Sequence, residues 1–425
     1  MSILLVLFFV FFLIIGVPIV VALGLTCVFS VMITGAFPVE VLVQKTFNAG
    51  NSFALMAIPF FILAGNIMAE GGVSRRLVNL AGALLGRVSG GLALVATLAS
   101  TFFGAVSGSA PATTAAIGGV MVKPMVEKGY DKNFAGAVVA ASGTIGLIIP
   151  PSLTMVLYGV STGVSIGKLF IAGIIPGLII CVVLMAVEYV ISVKRGYKGD
   201  ETASVKNISK YFREAIFALF MPVIILGGIY AGIFTPTESA AVAVVYGILV
   251  GIFIHKQLTW KQVLSLTLKS AKSTALVMYL MVTAEVLTYV LVSEQIPQTI
   301  AASILTVSSN PYVVQLIMIF ILLVVGTFLN NSAAMVLLAP IFYPIIMSLG
   351  IDPLFFGIIM VISLAIGHNT PPVGLCLFIA CDIGDLKLEY LVKAIAPLVA
   401  ALIVTVIVLS FLPEVILFLP RYMMG

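Results

Sequence analysis

Charge is what this sequence has least of. Asp, Glu, Lys and Arg supply 9% of its 425 residues, where soluble domains carry about a quarter. With 62% hydrophobic residues, the chain cannot cover its apolar surface in water. A soluble fold is excluded, and lipid must solvate most of it. The four cysteines, Cys27, Cys181, Cys376 and Cys381, lie in apolar stretches without metal-ligand spacing and read as small hydrophobes. A zinc-protease His-Glu-x-x-His, paired aspartates and a phosphate loop are all absent. Ser107 sits in an Ala-Val-Ser-Gly turn resembling a nucleophile turn, but Ala105 stands where glycine is required. Apart from the helix-end His255, His368 is the one histidine in an apolar span, so an intramembrane hydrolase is disfavoured. A passive channel is disfavoured too, because no repeated polar faces line a continuous pore.

Apolar runs long enough to cross a bilayer fall at 2–34 (broken at Gly16-Val17-Pro18), 53–70, 131–163, 165–193, 211–234, 235–254, 273–292, 352–380 and 394–419. The first run lacks a basic leader and a small-residue cleavage site, so it is expected to remain as a membrane segment. Two more apolar regions, 91–127 and 311–348, are interrupted by small and polar residues and are expected to be re-entrant hairpins. That topology puts 18 of the 21 Lys and Arg on one side, leaving Lys45, Lys168 and Arg421 on the other. The positive-inside rule makes the first side cytoplasmic. The formal net charge of +5 thus reflects membrane orientation, with no nucleic-acid partner expected.

The chain matches itself at a shift of 221 residues. Gly129, Asp131, Gly136, Gly146, Pro150, Pro151 and Pro176 fall on Gly350, Asp352, Gly357, Gly367, Pro371, Pro372 and Pro397. Composition alone predicts about one or two such coincidences. Five crossings separate Ala54 from its counterpart Ala275, and an odd number inverts the second copy. Inverted repeats are typical of secondary transporters. The expected fold is an all-α polytopic membrane protein of two inverted-topology repeats. Repeat one covers 1–195 (hairpin about 91–127, broken helix about 131–163), 196–210 is a cytoplasmic linker, and repeat two covers 211–425 (hairpin about 311–348, broken helix about 352–380). Short amphipathic segments at 71–89 and 294–308, and at 38–47 and 258–269, form matched pairs that read as interfacial helices or as arms.

Chemistry is expected where the helices break. Backbone inside a bilayer stays hydrogen-bonded unless protein or a water-filled cavity covers it. Two hairpin tips, 104–114 and 326–335, and two kinks, 143–152 and 367–374, combine Gly or Pro with hydroxyl and amide oxygens. Neutral oxygen donors suit Na+, and the exposed helix N-termini suit a carboxylate. Ser107, Gly108 and Ser109 with Gly143, Thr144 and Pro150 are expected to form one sodium cage. Gly326, Thr327 and Asn330 with Gly367, Asn369 and Pro371 form its counterpart. Substrate is expected between the tips, against Ser109, Thr113, Asn331, Ser332, His368 and Thr370. Each of these residues taken singly also suits tight helix packing. Intramembrane carboxylates Glu188, Glu238 and Glu285 are further candidates, although Glu238, at a helix start in TPTES, reads equally as a helix cap or as a structural contact.

The strings IPFFILAGNIM (58–68), GAVSGSAPATTAAIG (104–118), ASGTIGLIIPPS (141–152), IAGIIPGL (171–178), GIFTPTESAAVAVVY (232–246) and GHNTPPVGLCLF (367–378) resemble the large membrane subunit of the tripartite ATP-independent periplasmic (TRAP) transporters over nearly the whole chain. The resemblance implies a multi-pass subunit in the bacterial inner membrane that imports organic acids with Na+ as coupling ion, without ATP or an organic cofactor. It implies an elevator mechanism, a separate small four-helix membrane subunit and a periplasmic binding protein that delivers substrate. Overall likeness favours sialic acid, with C4-dicarboxylates as the alternative.

Overall fold

The computed structural model describes residues 2–199, 207–296, 299 and 310–424. All secondary-structure elements among them are helical, and nine helical segments are long and apolar enough to cross a membrane. Residues 200–206 of the expected linker 196–210, and most of the amphipathic segment at 294–308, fall outside the described residues. The first apolar run divides into Ser2–Ile14 and Ile19–Thr34, which pack together. Gly16 at positive φ and Pro18 before the second helix make the turn.

Both hairpins form where the small and polar residues interrupt the pattern. Gly91–Ser107 and Ala110–Glu127 pack as one pair. Pro311–Phe328 and Asn331–Ser348 pack as the other. The first broken helix runs Lys132–Gly143, Ile145–Ile148 and Leu153–Thr162. The second runs Pro353–Gly367 and Leu375–Gly384. Asp131 and Asp352, matched across the repeat, cap these helices by accepting from Phe134 N–H at 2.9 Å and Leu354 N–H at 2.8 Å. Each break holds a cis X-Pro bond, at Pro150-Pro151 and Pro371-Pro372.

The halves pack reciprocally. Leu153–Thr162, the second limb of one broken helix, lies against Asn331–Ser348 of the other half's hairpin. Leu375–Gly384 lies against Ala110–Glu127 in the same way. Contact of element with counterpart in both directions is what a two-fold relation produces. Five candidate spans separate the matched positions Ala54 and Ala275, so the second copy runs inverted. The most apolar stretch of the first broken helix is wholly buried in protein, which keeps its interrupted backbone from lipid.

One matched pair differs in form. Val39–Gly50 ends at Asn51, and a short 3-10 turn leads into Ala57–Glu70. The corresponding residues of the second half form one uninterrupted helix, Trp260–Ser293. Segment 258–269 is therefore the start of a long helix, where a separate amphipathic helix was expected. Gly50-Asn51 favours a helix end, whereas Ala271-Lys272 continues a helix. In Val73–Leu85, Val73, Leu77, Leu80, Ala81 and Ala83 are buried and Leu84 is exposed, the amphipathic pattern of a helix with one packed face.

Glu188 is a fully buried carboxylic side chain in Ile166–Lys194, and Thr97 Oγ1 of the first hairpin donates to its Oε1 at 2.6 Å. Its Oε2 lacks a partner among the described residues. Thr97→Val is expected to lower the thermal unfolding temperature in detergent, a cost of about 1–3 kcal/mol for stripping a buried acceptor. Glu188→Gln, which keeps the acceptor and the shape, is expected to cost less. Equal melting of Thr97→Val and wild type would show that the bond contributes nothing.

Candidate functional site

Each hairpin crosses its broken helix at a pair of glycines. A Cβ built on Gly104 would stand 2.8 Å from Gly146 Cα, and one on Gly367 would stand 2.3 Å from the Gly326 carbonyl carbon. Only hydrogen side chains permit backbones this close. Beyond each crossing a hydrogen bond joins tip to break: Leu153 N–H donates to Gly108 O at 3.5 Å, and Val373 N–H donates to Thr327 O at 3.1 Å.

At the first tip, Ser107 Oγ and Thr113 Oγ1 are 2.9 Å apart, and Thr113 Oγ1 donates to Ser109 O at 2.8 Å. Ser109 also caps the second arm by accepting from Ala112 N–H. Gly146 lies beneath this knot, because its built Cβ would meet Thr113 Oγ1 at 2.4 Å and Ser109 O at 2.9 Å. Gly108, at φ 61°, faces the Pro151 carbonyl. The structure thus brings Ser107, Gly108, Ser109 and Thr113 together with Gly146 and Pro151. Of the other expected cage members, Gly143 abuts Thr114 and Thr144 Oγ1 turns back to Ala141 O at 2.6 Å. Pro150 is buried within the break.

At the second tip, Asn330 Oδ1 accepts from Ser332 N–H at 3.0 Å and so caps Asn331–Ser348. Gly326 and Gly367 meet at the crossing. Thr327 Oγ1 donates to Val324 O at 2.8 Å, and Thr370 Oγ1 donates to Ile366 O at 3.2 Å. Pro371 is exposed, whereas Asn369 is buried.

A cavity of ≈ 250 Å³ lies between the tips. From the expected set it takes in Ser107, Gly108, Ser109, Asn330, Asn331, Ser332 and His368, so both halves contribute. Thr113, Thr370 and the crossing glycines are not among its lining residues. The opposite wall comes from Ala57–Glu70 and Trp260–Ser293, through Gly65, Asn66 and Ser273. Asn66 Nδ2 donates to Ser270 Oγ at 2.8 Å and ties these two helices together. Sequence reasoning missed this wall, although Asn66 is the one amide in IPFFILAGNIM and Ser273 matches Ser52 in the repeat. Among the described residues, no Lys, Arg, Asp or Glu lines the cavity. Its neutral hydroxyl, amide and carbonyl oxygens are hard donors of the kind an alkali cation takes. Glu188 and Glu238 lie elsewhere, and Glu238 completes a capping box with Thr235.

The family model described as "Tripartite ATP-independent periplasmic transporter, DctM component" matches residues 5–415. The isethionate TRAP transporter permease protein DctMQ of Oleidesulfovibrio alaskensis is 44% identical over 97% of this chain, which spans 65% of that protein's length. The C4-dicarboxylate TRAP transporter large permease protein DctM of Pseudomonas aeruginosa is 41% identical over 95% of this chain and 94% of its own. The sialic acid TRAP transporter large permease protein SiaM of Vibrio cholerae is 36% identical over 96% of each. Among solved structures, the Alcanivorax borkumensis YdaH transporter aligns with TM-score 0.60 at 15% identity over 87% of this chain and 86% of that one, a likeness of fold alone.

Proposed function

Because this chain belongs to the DctM component family of tripartite ATP-independent periplasmic transporters, we propose that it is the large membrane subunit of a sodium-coupled importer of organic acids. The observation that carries the reading is the cavity between the two hairpin tips, walled by neutral oxygen donors from both halves. Na+ is cargo here. Ser107, Thr113 and the Ser109 carbonyl would hold one ion near the first tip, and Asn330, Asn331 and Asn369 would supply oxygens at the second. A bound cation would offset the charge of an acid in a cavity that no basic side chain lines among the described residues. The N-terminal ends of Ala110–Glu127 and Asn331–Ser348, both at the tips, add to the attraction for an anion.

The packing also supports an elevator movement. Hairpins and broken helices interlock as one body, and the cavity lies on its seam with the helices bearing Asn66 and Ser273. The proposed partners are a small membrane subunit and a periplasmic binding protein that presents substrate, in a bacterial inner membrane.

For the acid itself, relatives named for isethionate and C4-dicarboxylates are 44% and 37–41% identical, against 35–36% for those named for sialic acid. Likeness thus moves the reading away from sialic acid.

Proteoliposomes containing the assembled membrane subunits, supplied with the cognate binding protein, test this. Uptake of labelled acid is expected to fall at least tenfold when choline replaces sodium. Ser107→Ala and Asn330→Ala are expected to raise the sodium concentration for half-maximal uptake about tenfold while leaving assembly intact. Undiminished uptake in sodium-free buffer would remove ion coupling.

A further inference from the structure

The two tips differ in how their polar atoms are satisfied. At the first, Ser107, Thr113 and the Ser109 carbonyl bond to one another. At the second, six side-chain atoms have no hydrogen-bond partner among the described residues: both amide atoms of Asn331, both ring nitrogens of His368 and both amide atoms of Asn369. These side chains are only 2%, 4% and 1% exposed. Ten other buried side-chain atoms also lack a partner among the described residues, each one atom of its side chain, whereas these six fall on three side chains at one tip. Most buried polar groups are paired, so such a cluster points to a ligand that completes it. Asn331 and His368 line the cavity, which places that ligand in the transport path. The backbone around His368 is held firmly, its N–H donating to Ala365 O at 3.2 Å and its carbonyl accepting from Cys376 N–H at 3.1 Å.

Donor and acceptor counting specifies the ligand. An uncharged imidazole offers one N–H and one acceptor nitrogen, and a carboxamide offers donors and an acceptor oxygen. A carboxylate or sulfonate only accepts, so it pairs with the N–H groups and leaves the acceptors unmet. Sodium can take the amide oxygens, being a hard cation, but the ring nitrogen is a poor partner for it. That nitrogen needs a donor. We propose that the transported solute is an organic anion that carries a hydroxyl group, and that His368 reads the hydroxyl. Its O–H donates to the acceptor nitrogen of His368, and its acid oxygens accept from Asn331 Nδ2. The inference rests on the transport reading and narrows its substrate.

The complete complex in proteoliposomes, with one binding protein throughout, is offered matched acids: 2-hydroxyethanesulfonate against ethanesulfonate, and malate against succinate. The binding protein's own selectivity divides out when the hydroxy-to-deoxy uptake ratio is compared between variants. His368→Phe and the smaller His368→Ala are each expected to lower that ratio at least tenfold relative to wild type. His368→Gln, which keeps a donor and an acceptor, is expected to retain most of it. An unchanged ratio in either His368→Phe or His368→Ala, with uptake still measurable, would overturn the assignment. Failure of wild type to take up any of the four acids under a sodium gradient would instead remove the transport reading beneath it.

Discussion

Gly367→Val is expected to lower sodium-driven uptake more than a hundredfold while the protein still inserts into the membrane. A Cβ at this position would stand 2.3 Å from the Gly326 carbonyl carbon and 2.5 Å from its oxygen, where carbon atoms in contact settle about 3.5–4.0 Å apart. The obstacle is backbone, which no rotamer change relieves. The second hairpin must therefore move off the break by about an ångström or more. That movement also strains the adjacent bond from Val373 N–H to Thr327 O, which now measures 3.1 Å. Asn330, Asn331 and His368, which line the cavity just beyond the crossing, lose their common register. Gly119→Ala and Gly82→Ala serve as controls, since a Cβ at either meets nothing within 4 Å. Both lie in helices, where replacing glycine by alanine contributes about 0.5–1 kcal/mol, so uptake and melting are expected to stay near wild type or improve slightly. Initial uptake rates, normalised to the amount of inserted protein, decide the matter. Gly367→Val working within threefold of wild type would show that the crossing is not needed.

Gly65→Leu is expected to lower uptake at least thirtyfold, by acting from the opposite wall. A Cβ on Gly65 would stand 2.9 Å from Ser107 O and 3.5 Å from Ser107 Cα, so the first tip rides directly on Ala57–Glu70. A leucine side chain must either push the tip away or fold into the cavity, and both outcomes displace substrate and ion. The sodium concentration for half-maximal uptake is expected to rise with the fall in rate, because Ser107 belongs to the hydroxyl knot with Thr113. A wild-type rate in Gly65→Leu would show that the tip does not bear on this helix during transport.

Much of the architecture was legible because helix breaks are local events. Gly108 between the hairpin arms, Pro150-Pro151 and Pro371-Pro372 in the kinks, and Asp131 and Asp352 at helix starts act on their own few residues of backbone. Their recurrence at a constant spacing exposed the duplication and, with the crossings counted, its inversion. Which side chains meet across a break was much less legible. Gly143 and Pro150 looked as suited to a cage as Gly146 and Pro151, because all four sit at the same kink. Only the angle at which the hairpin crosses sets Thr113 over Gly146 and Gly108 against the Pro151 carbonyl. Thr144 satisfied its hydroxyl within its own helix, an option open to any helical threonine. The uninterrupted Trp260–Ser293 was missed for a related reason. A polar patch such as Lys269-Ser270-Ala271-Lys272 reads as the end of a span, yet its residues support a helix as well as any.

The sequence by itself determined that this protein lives in a membrane, where its helices must break, and that its two halves repeat one plan upside down. Those properties follow from apolar content, from Gly and Pro, and from spacing, each of which acts at short range or by simple count. Only the tertiary structure decided that Asn66 and Ser273 face the hairpin tips, that glycine pairs set the crossings, and that Asn331, Asn369 and His368 are buried with their polar atoms unpaired among the described residues. Residues remote in sequence meet through packing, and whether a polar group finds a partner depends on everything around it.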